Sequence, residues 1–259
     1  MDYREQLKQK LVTEEEALLR IPDNAYLFTY GYGEPVGILS RLTELKGKRK
    51  GITFVDSLNA KPYPFYSDSE MRGVVDSESI FFAHFCREFQ KTGAISFIPN
   101  HLGKGFKDKL WAIRRRSPER PIVYAIQVSP MDEHGYFTTG TVGMSNRMMV
   151  ENADIVILEI DENMPRTFGN TYIHVSEATC VYQGPNEMFY MPERPQSELD
   201  LKIGQYVADL IEDESTLQLG IGGIPNAVAV ALRGKHNLGV HTEMLSDSLI
   251  DLYRAGVVT

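Results

Sequence analysis

Apolar residues along the chain follow two alternating rhythms. Short, near-continuous apolar runs occur at AYLFTY (25–30), GITFVDSL (51–58), AISFIPN (94–100), PIVYAIQVS (121–129) and DIVILEID (154–161). Their length and β-branched content predict strands buried on both faces. Between several of them the apolar spacing widens to a helical period, as in VGILSRLTEL (36–45), with Val36, Leu39, Leu42 and Leu45 on one side. ESIFFAHFCREFQ (78–90) and SNRMMVENA (145–153) also predict helices. Near the start, Thr13 followed by Glu16 ahead of Ala17, Leu18 and Leu19 has the form of a capping box. Such alternation predicts an α/β fold, a mostly parallel sheet with helices on both faces.

The pattern breaks between Ala178 and Pro195, where ATCVYQGPNEMFYMPERP has neither period. This stretch reads as an ordered linker and places a domain boundary near Pro195. The βα pattern then restarts with a helix at 197–213, a strand at 215–220, the loop GIGGIPN (220–226) and a helix at 227–234. A strand at 237–243 and a helix at 246–256 follow. Two domains are expected, 1–195 and 196–259, the second with too few strands to close a core and therefore incomplete.

Composition narrows the class. With 259 residues, 42% hydrophobic and 24% charged, the chain is an ordinary globular one. No apolar run reaches membrane-span length, and the charged start MDYREQLKQKLVTEEE is not a secretory signal. Cys86 and Cys180 are far apart, which points to a reducing cytoplasm and to neither a disulfide framework nor a zinc site. A formal charge of −8 disfavours nucleic acid as a partner.

The loops of the last segment concentrate the chemistry. In GIGGIPNAV a strand runs into Gly220, Gly222 and Gly223, and a helix opens near Pro225 or Asn226, its first amides unpaired at the positive end of the dipole. Such a turn can hold a phosphate, a carboxylate or a developing oxyanion. It could equally be a tight βα turn in which glycine serves packing alone. Glu243 ends the next strand. If the two strands are neighbours, the glycine amides and the Glu243 carboxylate share one edge. By spacing alone Glu243 reads first as a residue that simply caps or precedes the 246–256 helix, where Ser246 and Asp247 also offer N-cap side chains.

The segment LGIGGIPNAVAVALRGKHNLGVHTEMLSD (219–247) resembles the signature region of the acetyl-CoA hydrolase/transferase family, within which it is most similar to bacterial 4-hydroxybutyrate and butyryl-CoA:acetate CoA-transferases. GYGEPVGILSRL (31–42), IQVSPMDEHGYFTTG (126–140) and NADIVILEIDENMPRTFG (152–169) extend the resemblance over nearly the whole chain. It implies a ribose-isomerase-like α/β fold in two domains, the second truncated here. It also implies that Glu243 forms an acyl-glutamyl anhydride and then a glutamyl-CoA thioester. Gly220, Gly222, Gly223, Ile224, Pro225 and Asn226 then serve CoA binding and the oxyanion. Coenzyme A enters as a substrate, and no cofactor or metal is expected. The partners implied are an acyl-CoA, a short-chain carboxylic acid, a second copy of the chain, and a missing C-terminal domain in cis or on a separate polypeptide. Without that domain the 259 residues are expected to show weak or no transferase activity.

Other residues carry open readings. Arg166, past the strand at 154–161, could bind a carboxylate acceptor or pair with Glu159 or Asp161. Asn163 and Pro165 lie at the same edge. The basic run 104–116 could attract CoA phosphates or form a solvated helix face. His134 sits in a turn, and Met144, Met148 and Met149 read as core filler. Besides a CoA-transferase, two readings stay open: an acyl-CoA hydrolase using the same glutamate, and a non-catalytic binding or assembly module.

Overall fold

A computed structural model describes residues 2–190 and 195–259. The chain divides into two units, Met1–Phe189 and Tyr190–Thr259. The first begins with helices α1 (Tyr3–Lys10) and α2 (Glu14–Leu19), then β1 (Tyr26–Phe28), α3 (Val36–Ser40) and β2 (Ile52–Asp56). It continues through α4 (Pro64–Ser67), β3 (Val75–Ser79), α5 (Cys86–Lys91), β4 (Ile95–Phe97), α6 (Gly105–Arg116) and β5 (Ile122–Val128). The remainder is β6 (Tyr136–Thr138), α7 (Asn146–Asn152), β7 (Ile155–Ile160), β8 (Tyr172–His174) and β9 (Cys180–Gln183).

Seven strands form one sheet in the order β4-β3-β2-β1-β5-β7-β9, with every neighbouring pair parallel. Alternation along each strand feeds two cores. Leu27, Phe54, Val123, Ala125 and Ile157 join one with Ile38 and Leu39 of α3. Phe28, Ile122, Tyr124, Ile126 and Leu158 join the other with Leu110 and Ile113 of α6 and Met149 of α7. All seven residues of β5 are buried, so the run without polar alternation in PIVYAIQVS is what a strand covered on both faces requires. Each fully buried aliphatic side chain here contributes about 1.5–3 kcal/mol. The capping box is present, with Thr13 Oγ1 accepting from the amide of Glu16 and the Glu16 carboxylate accepting from the amide of Thr13.

Two assignments from sequence are corrected. The helix expected over 78–90 is α5 alone, because Glu78 and Ser79 belong to β3, hydrogen-bonded between β2 and β4. The stretch read as a linker contains β9, which pairs with β7 and is flanked by Leu11 through a bridge to Val181. Residues 191–194 of that stretch lie outside the described residues.

The second unit holds α8 (Glu198–Asp209), β10 (Thr216–Leu217), α9 (Gly223–Ala231), β11 (Gly239–Val240) and α10 (Asp247–Arg254). Among the described residues its strands form one parallel pair and shrink to two residues apiece from the longer spans expected. Leu217, Leu219, Val228, Leu232, Leu238, Leu249 and Leu252 make a separate small core. Helix α8 meets α9 at Gly204, while Leu199, Tyr206 and Leu210 along it are exposed. Among the described residues no helix is long and apolar enough to cross a membrane.

Candidate functional site

Thr216 pairs with Gly239 and Leu217 with Val240, so the chain segments leaving β10 and β11 start side by side. They stay so: the amide of His241 donates to the Leu217 carbonyl at 2.9 Å, and Thr242 Oγ1 donates to the Leu219 carbonyl at 3.0 Å. Glu243 follows directly, exposed, and its carboxylate has no hydrogen-bond or ionic partner among the described residues. It is not the cap of α10, a position that Ser246 holds.

Gly220 lies opposite this segment. Gly222 is the N-cap of α9 at φ 123°, a conformation that an L side chain adopts only with strain. Helix α9 starts at Gly223, earlier than the 227 read from sequence, so Gly223, Ile224, Pro225 and Asn226 form its first turn. Pro225 costs nothing there, since its missing N–H would have had no helical acceptor. The amide of Asn226 closes the first helical bond to Gly222 O at 3.2 Å. The amides of Gly223 and Ile224 have no acceptor among the described residues, as the open end of a helix dictates. Two free amides and the positive end of the dipole therefore sit on the strand end neighbouring that of Glu243. Ser248 Oγ approaches Asn226 Oδ1 at 3.4 Å and joins α10 to this turn.

The first unit has a polar edge that the sequence reading missed. Strand order reverses between β1 and β5, and in parallel sheets ligands bind beyond the carboxyl ends of the strands at such a point. Buried carboxylates gather there. Glu159 accepts from the amides of Val36 at 3.0 Å and Gly37 at 2.8 Å, from Gln127 Nε2 at 2.9 Å and from the Tyr182 hydroxyl. Burial pushes it up to about 7 against those four donors. Glu34 accepts from the Ala60 amide and from the Tyr63 hydroxyl at 2.8 Å, and burial likewise pushes it up to about 7. Asp56 accepts from the Tyr66 hydroxyl at 2.9 Å and is pushed up by burial to about 6.

The loops bearing these groups interlock through backbone. The amide of Gly31 donates to Ser57 O at 2.7 Å, and a Cβ on Gly31 would lie 1.9 Å from Leu58 O. Glycine at 31 was visible in GYGEP. The reason for it, the backbone of Ser57 and Leu58 on the neighbouring loop after β2, was not.

Arg166 is committed elsewhere than either sequence reading placed it. Its guanidinium donates to Asp132 Oδ2 at 2.7 Å, Pro130 O at 3.1 Å, Tyr136 O at 3.2 Å and Ser129 Oγ at 3.3 Å. It clasps the turn that carries His134, which is exposed, with its amide held by Asp132 Oδ1 at 2.9 Å. Asn163 donates to Asn186 O at 3.3 Å. Part of the basic run is likewise paired, Lys109 with Glu78, Arg114 with Asp154, and Arg115 over the ring of the exposed Trp111. Met149 is in the core, whereas Met144 accepts a hydrogen bond from the Tyr30 hydroxyl. Among the described residues no cluster of three or more His, Cys, Asp or Glu side chains could hold a metal ion.

The first unit is thus a parallel sheet with buried carboxylates at its carboxyl edge, and the second sets a glycine turn on the strand end neighbouring that of Glu243. Residues 1–216 match the acetyl-CoA hydrolase/transferase N-terminal domain, and the chain belongs to that family. It is 32% identical over 262 residues to the 4-hydroxybutyrate coenzyme A transferase of Clostridium kluyveri, covering 100% of this chain and 59% of the relative. It is 28% identical over 267 residues to the butyryl-CoA:acetate CoA-transferase of Anaerostipes caccae, covering 100% of this chain and 58% of that one. The crystal structure of RipA from Yersinia pestis superposes with a TM-score of 0.89 at 28% identity, covering 100% of this chain and 62% of RipA. The chain thus spans about three fifths of the length of the curated relatives it matches. Its fold is the CoA-transferase α/β fold.

Proposed function

We propose that the chain carries the nucleophile of a CoA-transferase that exchanges coenzyme A between a short-chain acyl-CoA, such as butyryl-CoA or 4-hydroxybutyryl-CoA, and a carboxylate such as acetate. The observation that carries this reading is the place of Glu243, whose carboxylate has no partner among the described residues, on the strand end neighbouring the α9 turn, in a chain of this family.

The chemistry balances without ATP. The Glu243 carboxylate attacks the thioester carbonyl, the C–S bond breaks, and CoA leaves as thiolate from an acyl-glutamyl anhydride. The thiolate attacks the glutamyl carbonyl of that anhydride and expels the first carboxylate, leaving a glutamyl-CoA thioester. An acceptor carboxylate then runs the same two steps in reverse, releasing a new acyl-CoA and regenerating Glu243. Each tetrahedral intermediate carries one negative oxygen, which two preorganised amides at a helix N-terminus can stabilise.

A second reading has its own support. Glu243 is exposed here, and an exposed glutamyl thioester is open to water, which converts transfer into acyl-CoA hydrolysis. Suppressing that reaction calls for a cover, either a further domain in cis or on a separate chain, or a second copy. The exposed apolar row Leu199, Tyr206 and Leu210 supports the need for such a cover. A cytoplasmic setting is supported by two cysteines that are both buried and unpaired.

Trapping tests the proposal. After incubation with butyryl-CoA, borohydride reduction should modify Glu243 in the wild-type chain and leave Glu243→Gln unmodified, read by peptide mass spectrometry. Absence of the modification in a protein that binds butyryl-CoA would reject covalent catalysis. Adding acetate and comparing acyl exchange with thioester loss separates transferase from hydrolase.

A further inference from the structure

The six residues Gly184–Phe189 leave the end of β9 and cross the carboxyl edge of the sheet toward β1. Its contacts fall on the ends of β7 and β5 and on the loops after β1 and β2. The amide of Gly184 donates to Ile160 O at the end of β7, at 2.9 Å. Asn186 Oδ1 then accepts from the amide of Glu162, past β7, at 2.9 Å. Glu187 O accepts from Gln127 Nε2 of β5 at 3.3 Å. Phe189 stacks on Tyr32, past β1, with ring centroids 4.8 Å apart, and the Glu187 carboxylate reaches Lys61, past β2, at 3.0 Å. Three inter-strand steps of about 4.8 Å amount to roughly 14 Å, and six extended residues span up to about 20 Å. The segment is a strap over the switch point, turned at Asn186 by a left-handed backbone (φ 59°).

Acidic residues outnumber basic ones around that point. The loops after β1, β2, β5 and β7 (29–35, 57–63, 129–135 and 161–171) contain Glu34, Asp132, Glu133, Asp161 and Glu162, with Asp56 and Glu159 at the strand ends. Their Lys and Arg residues are Lys61 and Arg166. The Arg166 guanidinium is engaged by four acceptors. Lys61 is held by one exposed carboxylate of the strap and rests 5.7 Å from the Tyr63 ring centroid, with its side chain 47% exposed. An ion pair of this kind between exposed groups is weak and exchangeable.

We infer that Lys61 is the cationic anchor for a short-chain carboxylate at the switch point of the first unit, and that the strap residue Glu187 competes with that ligand for it. A carboxylate arriving at an otherwise anionic edge finds its counter-charge in Lys61 by replacing one carboxylate with another, and the strap is released at the position where Glu187 lets go. The inference rests on the transferase reading for the class of ligand, but it concerns binding to the first unit and involves no step at Glu243.

The test is equilibrium binding of carboxyl-labelled butyrate to the whole chain, followed by NMR, for the wild type, K61A, K61R, E187Q and E243Q. Loss of the anchor in K61A should weaken binding about tenfold. K61R should stay near wild type, and E187Q, which removes the competitor, should tighten binding about two- to fivefold. E243Q should bind as the wild type does. A latch that merely holds the strap would move K61A and E187Q in the same direction, and that result, or an unchanged K61A, overturns the inference. Both side chains are exposed, so unchanged thermal midpoints are expected for the Lys61 and Glu187 variants. Failure to trap a Glu243 adduct while this series holds would sink the catalytic proposal alone. The opposite pattern would sink the anchor alone.

Discussion

Thr242 Oγ1 donates a 3.0 Å hydrogen bond to the carbonyl of Leu219, tying the residue before Glu243 to the residue before Gly220. Glu243 and the amide turn are thereby held in register beyond the point where the two-residue ladder of β10 and β11 ends. T242V keeps the shape and removes the donor. A single hydrogen bond contributes roughly 1 kcal/mol, so trapping of Glu243 by butyryl-CoA should slow about fivefold in T242V and be restored in T242S. Equal trapping rates in all three proteins would show that the tie does not position the carboxylate.

Glu159 presents two oxygens to four donors, and two of these are backbone amides that cannot turn away. E159Q preserves volume yet sets an NH2 group against Val36 N–H or Gly37 N–H. It should cost about 1–3 kcal/mol in urea unfolding. Amide exchange at Val36 and Gly37, read by hydrogen–deuterium mass spectrometry, should accelerate along with it.

Gly31 should tolerate no side chain. G31A places a methyl group against the Leu58 carbonyl, so the loops after β1 and β2 must separate. A loss of about 1–3 kcal/mol in chemical denaturation is expected, the usual range for steric insertion.

Stability should also depend on pH with a definite sign. Burial raises Glu34 and Glu159 from the ordinary glutamate value of 4.5 to about 7. In that window the folded chain holds protons that the unfolded chain has released. The folded state is therefore favoured at the acid end and loses stability as pH climbs from about 4.5 through about 7. The thermal midpoint should be higher at pH 5.5 than at pH 8, and E34Q should flatten the difference. A midpoint that rises with pH over this range would contradict the assignment.

Much of this protein could be read from residue order. The continuous apolar run of β5, the Thr13–Glu16 capping box and the glycine turn before Pro225 are local devices, and each encodes its own structure through propensity, burial and capping. Glu243 beside the turn was legible because parallel neighbours bring successive strand ends together. Other features depended on partners distant in sequence. VDSES becomes β3, despite its polarity, because β2 and β4 offer ladders on both sides, and CVYQ becomes β9 because β7 has a free edge. Nothing in residue order marks Glu34, Asp56 and Glu159 as a group, and only the tertiary structure buries them at one sheet edge and surrounds them with donors. Arg166 was placed correctly at the sheet edge, but its partner is Asp132, on a turn 34 residues away that no periodicity indicates. By itself the sequence determined the apolar strands such as β5, the capped start of α2 and the turn that opens α9, all governed by near neighbours along the chain. Which carboxylates lose water, and which cation stays exchangeable, depends on desolvation and pairing across the sheet, and the tertiary structure decided both.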